Sequence, residues 1–307
     1  MKKFISVLFS LLLTGVLLFS GFQLEKVLNR YRVAKDITTT TSREVRKGRD
    51  VDFDKLLKRN SDVNGWIYIE DTPIDYPIVQ YSGDEDAAEP FYLHRDLDKN
   101  WLFDGCLFVD SAVERPYEDF NTIIYGHHMA SGAMFHDLDK FKDREFFDSH
   151  HVVILETPEK SYDLHVIAFL NEPSYSEIYT AYFPDYMEDI MNNGDEEDED
   201  DDSWMTKKGF VEFIKDKAIN ISDEEFDEND RYVVLSTCAY EYEEARHQVV
   251  CTIHEPPEEE KTQIIEKEKP FINIWLIAQI GVGIIMLLAV ILLLFPGKKK
   301  KKKVSKE

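Results

Sequence analysis

Residues 233–240 read VVLSTCAY: three strand-forming residues, then a serine, a threonine and a cysteine where the apolar run stops. Val233, Val234 and Leu235 fix the backbone in a sheet, and Cys238 falls at its rim. A cysteine can be a packed small hydrophobe or a nucleophile, and the second reading needs a base and an oxyanion partner nearby. The run that follows, "ARHQVVCTIH" from Ala245, is a second strand. A hairpin through "AYEYEEA" returns Arg246 towards Cys238, with a planar guanidinium that suits an acyl oxygen.

The same strand signature recurs upstream in "WIYIE", "IDYPIVQY", "GCLFVD", "NTIIYG", "HVVILET" and "SYDLHVIAFL". Little helical pattern separates these runs, so the expectation is a mainly β fold, an antiparallel barrel or sandwich. Three stretches break the rhythm with helical spacing: Phe53, Leu56 and Leu57; Met134, Leu138 and Phe141; and Phe210, Val211, Phe213 and Ile214. In "NTIIYGHHMASG", His127 and His128 follow an apolar strand and Gly126, read as the residue that permits a sharp turn.

The ends differ from the middle. Phe4–Phe22 and Phe271–Phe295 carry no charged side chain, and Lys2, Lys3 and Lys298–Lys303 flank their outer sides. Each run is long enough for a hydrocarbon core of ~30 Å. The sequence therefore predicts two transmembrane helices, with both termini cytoplasmic and the middle outside the cell membrane. The lysine run also suits anionic headgroups. The first segment could instead be a cleaved signal peptide, but "LFSGFQ" offers no small-residue cleavage site. The expected organisation is an anchor over 1–25, a linker over 26–51, a folded domain over 52–254 with an acidic loop at 194–203, a charged spacer over 255–270, a second membrane segment over 271–297 and a basic tail over 298–307.

The chain has 307 residues, with 36 basic against 60 acidic side chains and a net charge of −24. Since much of the basic charge sits at the two ends, the central domain is strongly acidic, which argues against nucleic-acid partners. Three cysteines, Cys106, Cys238 and Cys251, make no disulfide framework. The run Asp195–Asp202 fails as an EF-hand: counted from Asp195, its sixth and twelfth positions are Asp200 and Thr206, where a glycine and a glutamate are needed. His127, His128, His136, His150 and His151 match no zinc spacing, so neither metal nor cofactor is expected.

Taken together, "TIIYGHHM", "VLSTC" and "EARHQVV" resemble the sortase family, and "LSTC" with the span "NGWIYIEDTPIDYPIVQ" through "GCLFVD" looks like its class B. The resemblance covers roughly residues 52–254. It implies a closed eight-stranded antiparallel barrel and a cysteine transpeptidase. In that reading Cys238 forms a thioacyl intermediate with a threonine-containing sorting signal of a secreted surface or pilin protein, and passes the acyl group to an amine. His127, the histidine directly after the glycine, acts as general acid and base, Arg246 stabilises the oxyanion, and Ser236 and Thr237 line the groove. The acceptor is a cell-wall amine or a pilin lysine. A second membrane segment is typical of the pilin-polymerising class C and leans the reading to pilus assembly. The other function considered is a membrane-anchored adhesin or haem-binding module, but "EKEKPFIN" holds no sorting site before the apolar run.

Overall fold

A computed structural model describes residues 12–25, 41–42, 44–81, 83, 90–181, 183, 205–239 and 241–256. The chain divides into two compact units, Met1–Arg30 with Glu266–Glu307, and Tyr31–Ile265. In the first, residues 12–25 are helical. All that follows concerns the second.

All eight strands read from the sequence are present. They are β3 (Val63–Tyr68), β4 (Asp75–Val79), β5 (Leu107–Val109), β6 (Asn121–Tyr125), β7 (Val152–Glu156), β8 (Ser161–Pro173), β10 (Tyr232–Cys238) and β11 (Ala245–His254). They run in the order β11-β10-β6-β5-β4-β3-β7-β8, and β8 pairs with β11 to close the barrel. A two-residue strand, β9 (Asn220–Ile221), adds to β8 outside the ring. At the end of the stretch read as a linker, β1 (Arg46–Lys47) and β2 (Asp50–Val51) form a small hairpin. Arg49 from that hairpin is buried against the barrel, bonded to Glu156 at 2.9 Å and Asp163 at 2.7 Å.

Two features of the expected fold are corrected. The barrel is mixed, because β4 pairs β5 in parallel and β6 pairs β10 in parallel. A parallel pair needs a long connection, and the crossover between β4 and β5, which includes the 3₁₀ turn Phe91–His94, supplies one without the crossover helix whose absence had argued for an antiparallel sheet. The pair of transmembrane helices is also not found: among the described residues no helix is long and apolar enough to cross a membrane. Of the first run, residues 4–11 lie outside the described residues. The second segment, 271–297, lies outside the described residues, as do the acidic loop and nearly all of the spacer.

β10 shows why its sequence is a continuous apolar run instead of an alternating one. Val233 and Leu235 point into the barrel with Leu155, Phe169, Val249 and Cys251. Tyr232 and Val234 point outward but are equally buried, under Phe210 and Ile214 of the helix Lys207–Lys217. Thr206 caps that helix by accepting from the Gly209 amide at 2.9 Å. A strand buried on both faces is a rigid support for whatever stands at its end. The stretch around Met134 forms a 3₁₀ helix, His136–Lys142, and a short α-helix, Arg144–Ser149. The predicted first helix is Phe53–Arg59, capped by Asp52.

Candidate active site

Cys238 is the last residue of β10, and in the antiparallel register it faces Arg246 of β11. Paired residues project from the same side of a sheet, so the guanidinium reaches the thiol: Arg246 Nη1 donates to Cys238 Sγ. The turn between the strands closes with Ala239 N–H donating to Ala245 O at 2.9 Å, and Glu244 takes a left-handed conformation (φ 62°) just before β11. Glu244 is the salt-bridge partner that competes for Arg246, but its carboxylate stands 4.0 Å away, at the limit for an ion pair. The sulfur is the nearer partner.

His127 arrives on the neighbouring strand. β6 and β10 are parallel with Tyr125 aligned to Ser236, and Gly126 N–H continues the ladder by donating to Ser236 O at 3.0 Å. Carrying the same register two residues on aligns His127 with Cys238, and adjacent strands lie about 4.8 Å apart. Three strand ends thus bring the thiol, imidazole and guanidinium to one rim. The role of Gly126 differs from the expected one. Its φ is not positive; instead, a Cβ there would meet Leu107 Cδ2 at 2.4 Å and Phe135 Cδ2 at 2.7 Å. A side chain is excluded by close packing, which seats the β6 end on the barrel core.

The ring of His127 is held by a segment the sequence did not single out. Its Nε2 lies 2.9 Å from Leu93 O, and its face stacks with His94 at 5.2 Å and Phe103 at 6.2 Å between ring centres. A carbonyl oxygen can only accept, so Nε2 carries the proton and Nδ1 is the basic nitrogen. Burial lowers the pKa of His127 below the ordinary 6.5, and His94 and Arg246 push the same way against the Leu93 carbonyl. The neutral imidazole is therefore favoured at pH 7. His128 is turned to other work: its Nε2 lies 2.7 Å from Asp139 Oδ2.

Behind the rim, the two faces of β10 and β11 carry separate polar networks. Ser236, buried beside Cys238, lies 2.8 Å from the Tyr179 hydroxyl, which also accepts from Gln248 Nε2 at 2.6 Å. Burial drives the Tyr179 phenol pKa up, so it remains a neutral partner. Thr237 is also buried and faces His247 across the register, on the opposite side. His247 Nδ1 lies 2.6 Å from Asp139 Oδ1, and its Nε2 lies 2.9 Å from Glu241 Oε1. Asp139 therefore joins the residue after His127 to the residue after Arg246. Burial alone would raise its pKa, but hydrogen bonds from His128 and His247 prevail and hold the carboxyl well below the usual range. Nothing in the local spelling "HDLDKF" marks Asp139 as special; only closure of the barrel brings its partners together.

A strand-held thiol with a guanidinium on its sulfur and a neutral imidazole one strand away is equipped for acyl transfer through sulfur. Comparison with known proteins agrees with that chemistry. The Sortase domain family matches residues 67–254. Sortase B of Listeria monocytogenes is 31% identical over 260 residues, covering 80% of this chain and 95% of that protein. Sortase B of Staphylococcus aureus is 27% identical over 198 residues, or 64% of this chain and 72% of the relative. The crystal structure of sortase B from B. anthracis in complex with AAEK1 matches with a TM-score of 0.59 at 27% identity, over 75% of this chain and 100% of that one. The chain belongs to the sortase family, and these relatives place it in class B. It is a transpeptidase of that family, and the adhesin or haem-binding reading is not favoured.

Proposed function

We propose that the protein cleaves a threonine-containing sorting signal of secreted proteins and transfers the acyl fragment to an amine. His127 takes the thiol proton as the sulfur of Cys238 attacks the threonine carbonyl carbon, and the carbonyl electron pair moves to oxygen, where the Arg246 guanidinium, already at the sulfur, faces it. The carbon–nitrogen bond then breaks, the departing amine takes a proton from His127, and a thioacyl bond to Cys238 remains. An acceptor amine attacks that carbonyl, His127 removes its proton, and the thiol is released as the new amide forms. Ser236 and Thr237, expected from the sequence to line the groove, keep that role in this proposal as its buried floor beside Cys238.

The observation that carries the reading is the convergence of Cys238, Arg246 and His127 at the adjoining ends of β10, β11 and β6. Kinship with proteins named sortase B supports a cell-wall amine as the acceptor. The lean to a pilin lysine drew on a second membrane segment, 271–297, which lies outside the described residues. With its substrates on secreted proteins, the catalytic domain in this proposal works outside the cell, at the membrane surface. The test is mass spectrometry of the full chain incubated with a threonine-containing sorting peptide and an amine-bearing acceptor peptide. The expected result is a protein adduct of the acyl fragment's mass and a ligated product, both absent from Cys238→Ala; an adduct that persists in that variant overturns the assignment.

A further inference from the structure

At the far end of β11 from Arg246 stands a second cluster of reactive side chains, unconnected with acyl transfer. His254 closes β11, Thr252 lies two residues before it, and β8 contributes His165 opposite Thr252 and Asp163 opposite His254. These four project from the outer face of the wall, while Leu164, Val166 and Ile253 between them point into the core. Glu224, in the segment that follows β9, folds over the same spot. Its carboxylate lies 2.9 Å from His165 Nδ1 and 3.7 Å from His254 Nε2.

The two imidazoles stack with ring centres 4.0 Å apart and planes inclined by 23°. Neutral imidazole nitrogens beside a carboxylate are the ligands of borderline divalent metals. One ligand atom from each of His165, Glu224 and His254 lies within 4.8 Å of the others. Zinc bonds of ~2.0–2.2 Å put tetrahedral ligands about 3.3 Å apart, a contraction that half-exposed side chains reach by small rotations. The scaffold beneath is firm: both histidines sit on paired barrel strands, and Asp163 is locked to the buried Arg49 at 2.7 Å.

We propose that His165, Glu224 and His254 form a zinc-binding site on the outer wall of the barrel, with water as the fourth ligand, that fastens the segment after β9 to β8 and β11. The site is structural. His254 stands eight positions from Arg246 along β11, about 26 Å, so the metal touches no reacting atom. The ligands lie 59 and 30 positions apart in the sequence, which is why no short spacing motif announces them.

The test uses the full chain carrying Cys238→Ala, which removes the accessible thiol as a competing ligand, stripped with chelator and titrated with Zn²⁺ by calorimetry and with Co²⁺ by visible absorption. One equivalent of Zn²⁺ should bind and raise the unfolding temperature, and Co²⁺ should give tetrahedral ligand-field bands. The double variant His165→Ala/His254→Ala should lose both, and Glu224→Gln, at an exposed position, should weaken Zn²⁺ binding by about tenfold or more. Circular dichroism confirms that each variant folds. In the unsubstituted chain, chelation should lower the unfolding temperature and leave transpeptidation unchanged. Absence of saturable Zn²⁺ binding, or equal affinity in the double variant and Glu224→Gln, overturns the site; loss of turnover on chelation overturns its structural role.

Discussion

Cys238 and Cys251 sit on neighbouring strands of one hairpin, yet one has the surroundings of a nucleophile and the other those of a methyl group. Cys251 is in the middle of β11, opposite Val233, wholly buried inside the barrel, where burial pushes its thiol far above the usual range. Cys238 ends β10, half-buried, with Arg246 on its sulfur and His127 one strand away. Cys106, buried beneath the β4–β5 crossover, resembles Cys251, its thiol pushed up to about 12. Depth separates these thiols: Cys106 and Cys251 lie in dry packed interiors, whereas the barrel rim admits charged partners.

Alkylation breaks the comparison most directly. In the native chain iodoacetamide should modify Cys238, whereas Cys106 and Cys251 react only through unfolding, at rates at least about 10³-fold lower for a domain of ordinary stability. Peptide mapping by mass spectrometry over time gives the three rates; comparable labelling of Cys251 would remove the distinction between middle and rim. A smaller effect is expected from Arg246→Lys. An ammonium keeps the charge but not the fork that can face sulfur and oxyanion together, so kcat/KM should fall by about 10²–10³ with the fold intact. A rate within a factor of three of the unsubstituted chain would take Arg246 out of the mechanism.

Much of this contrast is legible in the sequence because strand alternation and the abrupt end of an apolar run are local signals. All eight barrel strands announce themselves in that way, and so do Cys238, His127 and Arg246, each spelled beside a strand end. What escapes is whatever depends on how distant segments meet. The parallel pairings of β4 with β5 and β6 with β10 follow from long crossovers, whose direction no local pattern encodes. Gly126 reads as a turn glycine although its reason is the proximity of Leu107 and Phe135, which only the folded core supplies. The stack of His94 and Phe103 on His127 likewise comes from the β4–β5 crossover, which as sequence is only a run of turn and aromatic residues.

Asp139 belongs to this second group and offers the subtlest way to sharpen the contrast between rim and middle. It touches neither the thiol nor the guanidinium, but its two oxygens hold His128 at 2.7 Å and His247 at 2.6 Å, the immediate neighbours of His127 and Arg246. It is thus a positioning residue, whose loss should loosen the rim without emptying the core. In Asp139→Asn one carboxylate oxygen becomes an amide that cannot accept, so one histidine loses its partner, and kcat should fall about tenfold with KM nearly unchanged. The sign of its pH dependence follows from its lowered pKa. The folded state binds the Asp139 proton less readily than the unfolded chain does, so its stabilising contribution is complete above the ordinary carboxylate pKa and is lost as pH falls through the lower folded value. Chemical denaturation of the two proteins should therefore differ most at neutral pH and converge under strong acid, while the acid limb of kcat/KM, which the proposed mechanism assigns to His127, should begin below pH 6.5 in the unsubstituted chain. A merely structural role for Asp139 would lower stability and leave kcat and that limb where they were.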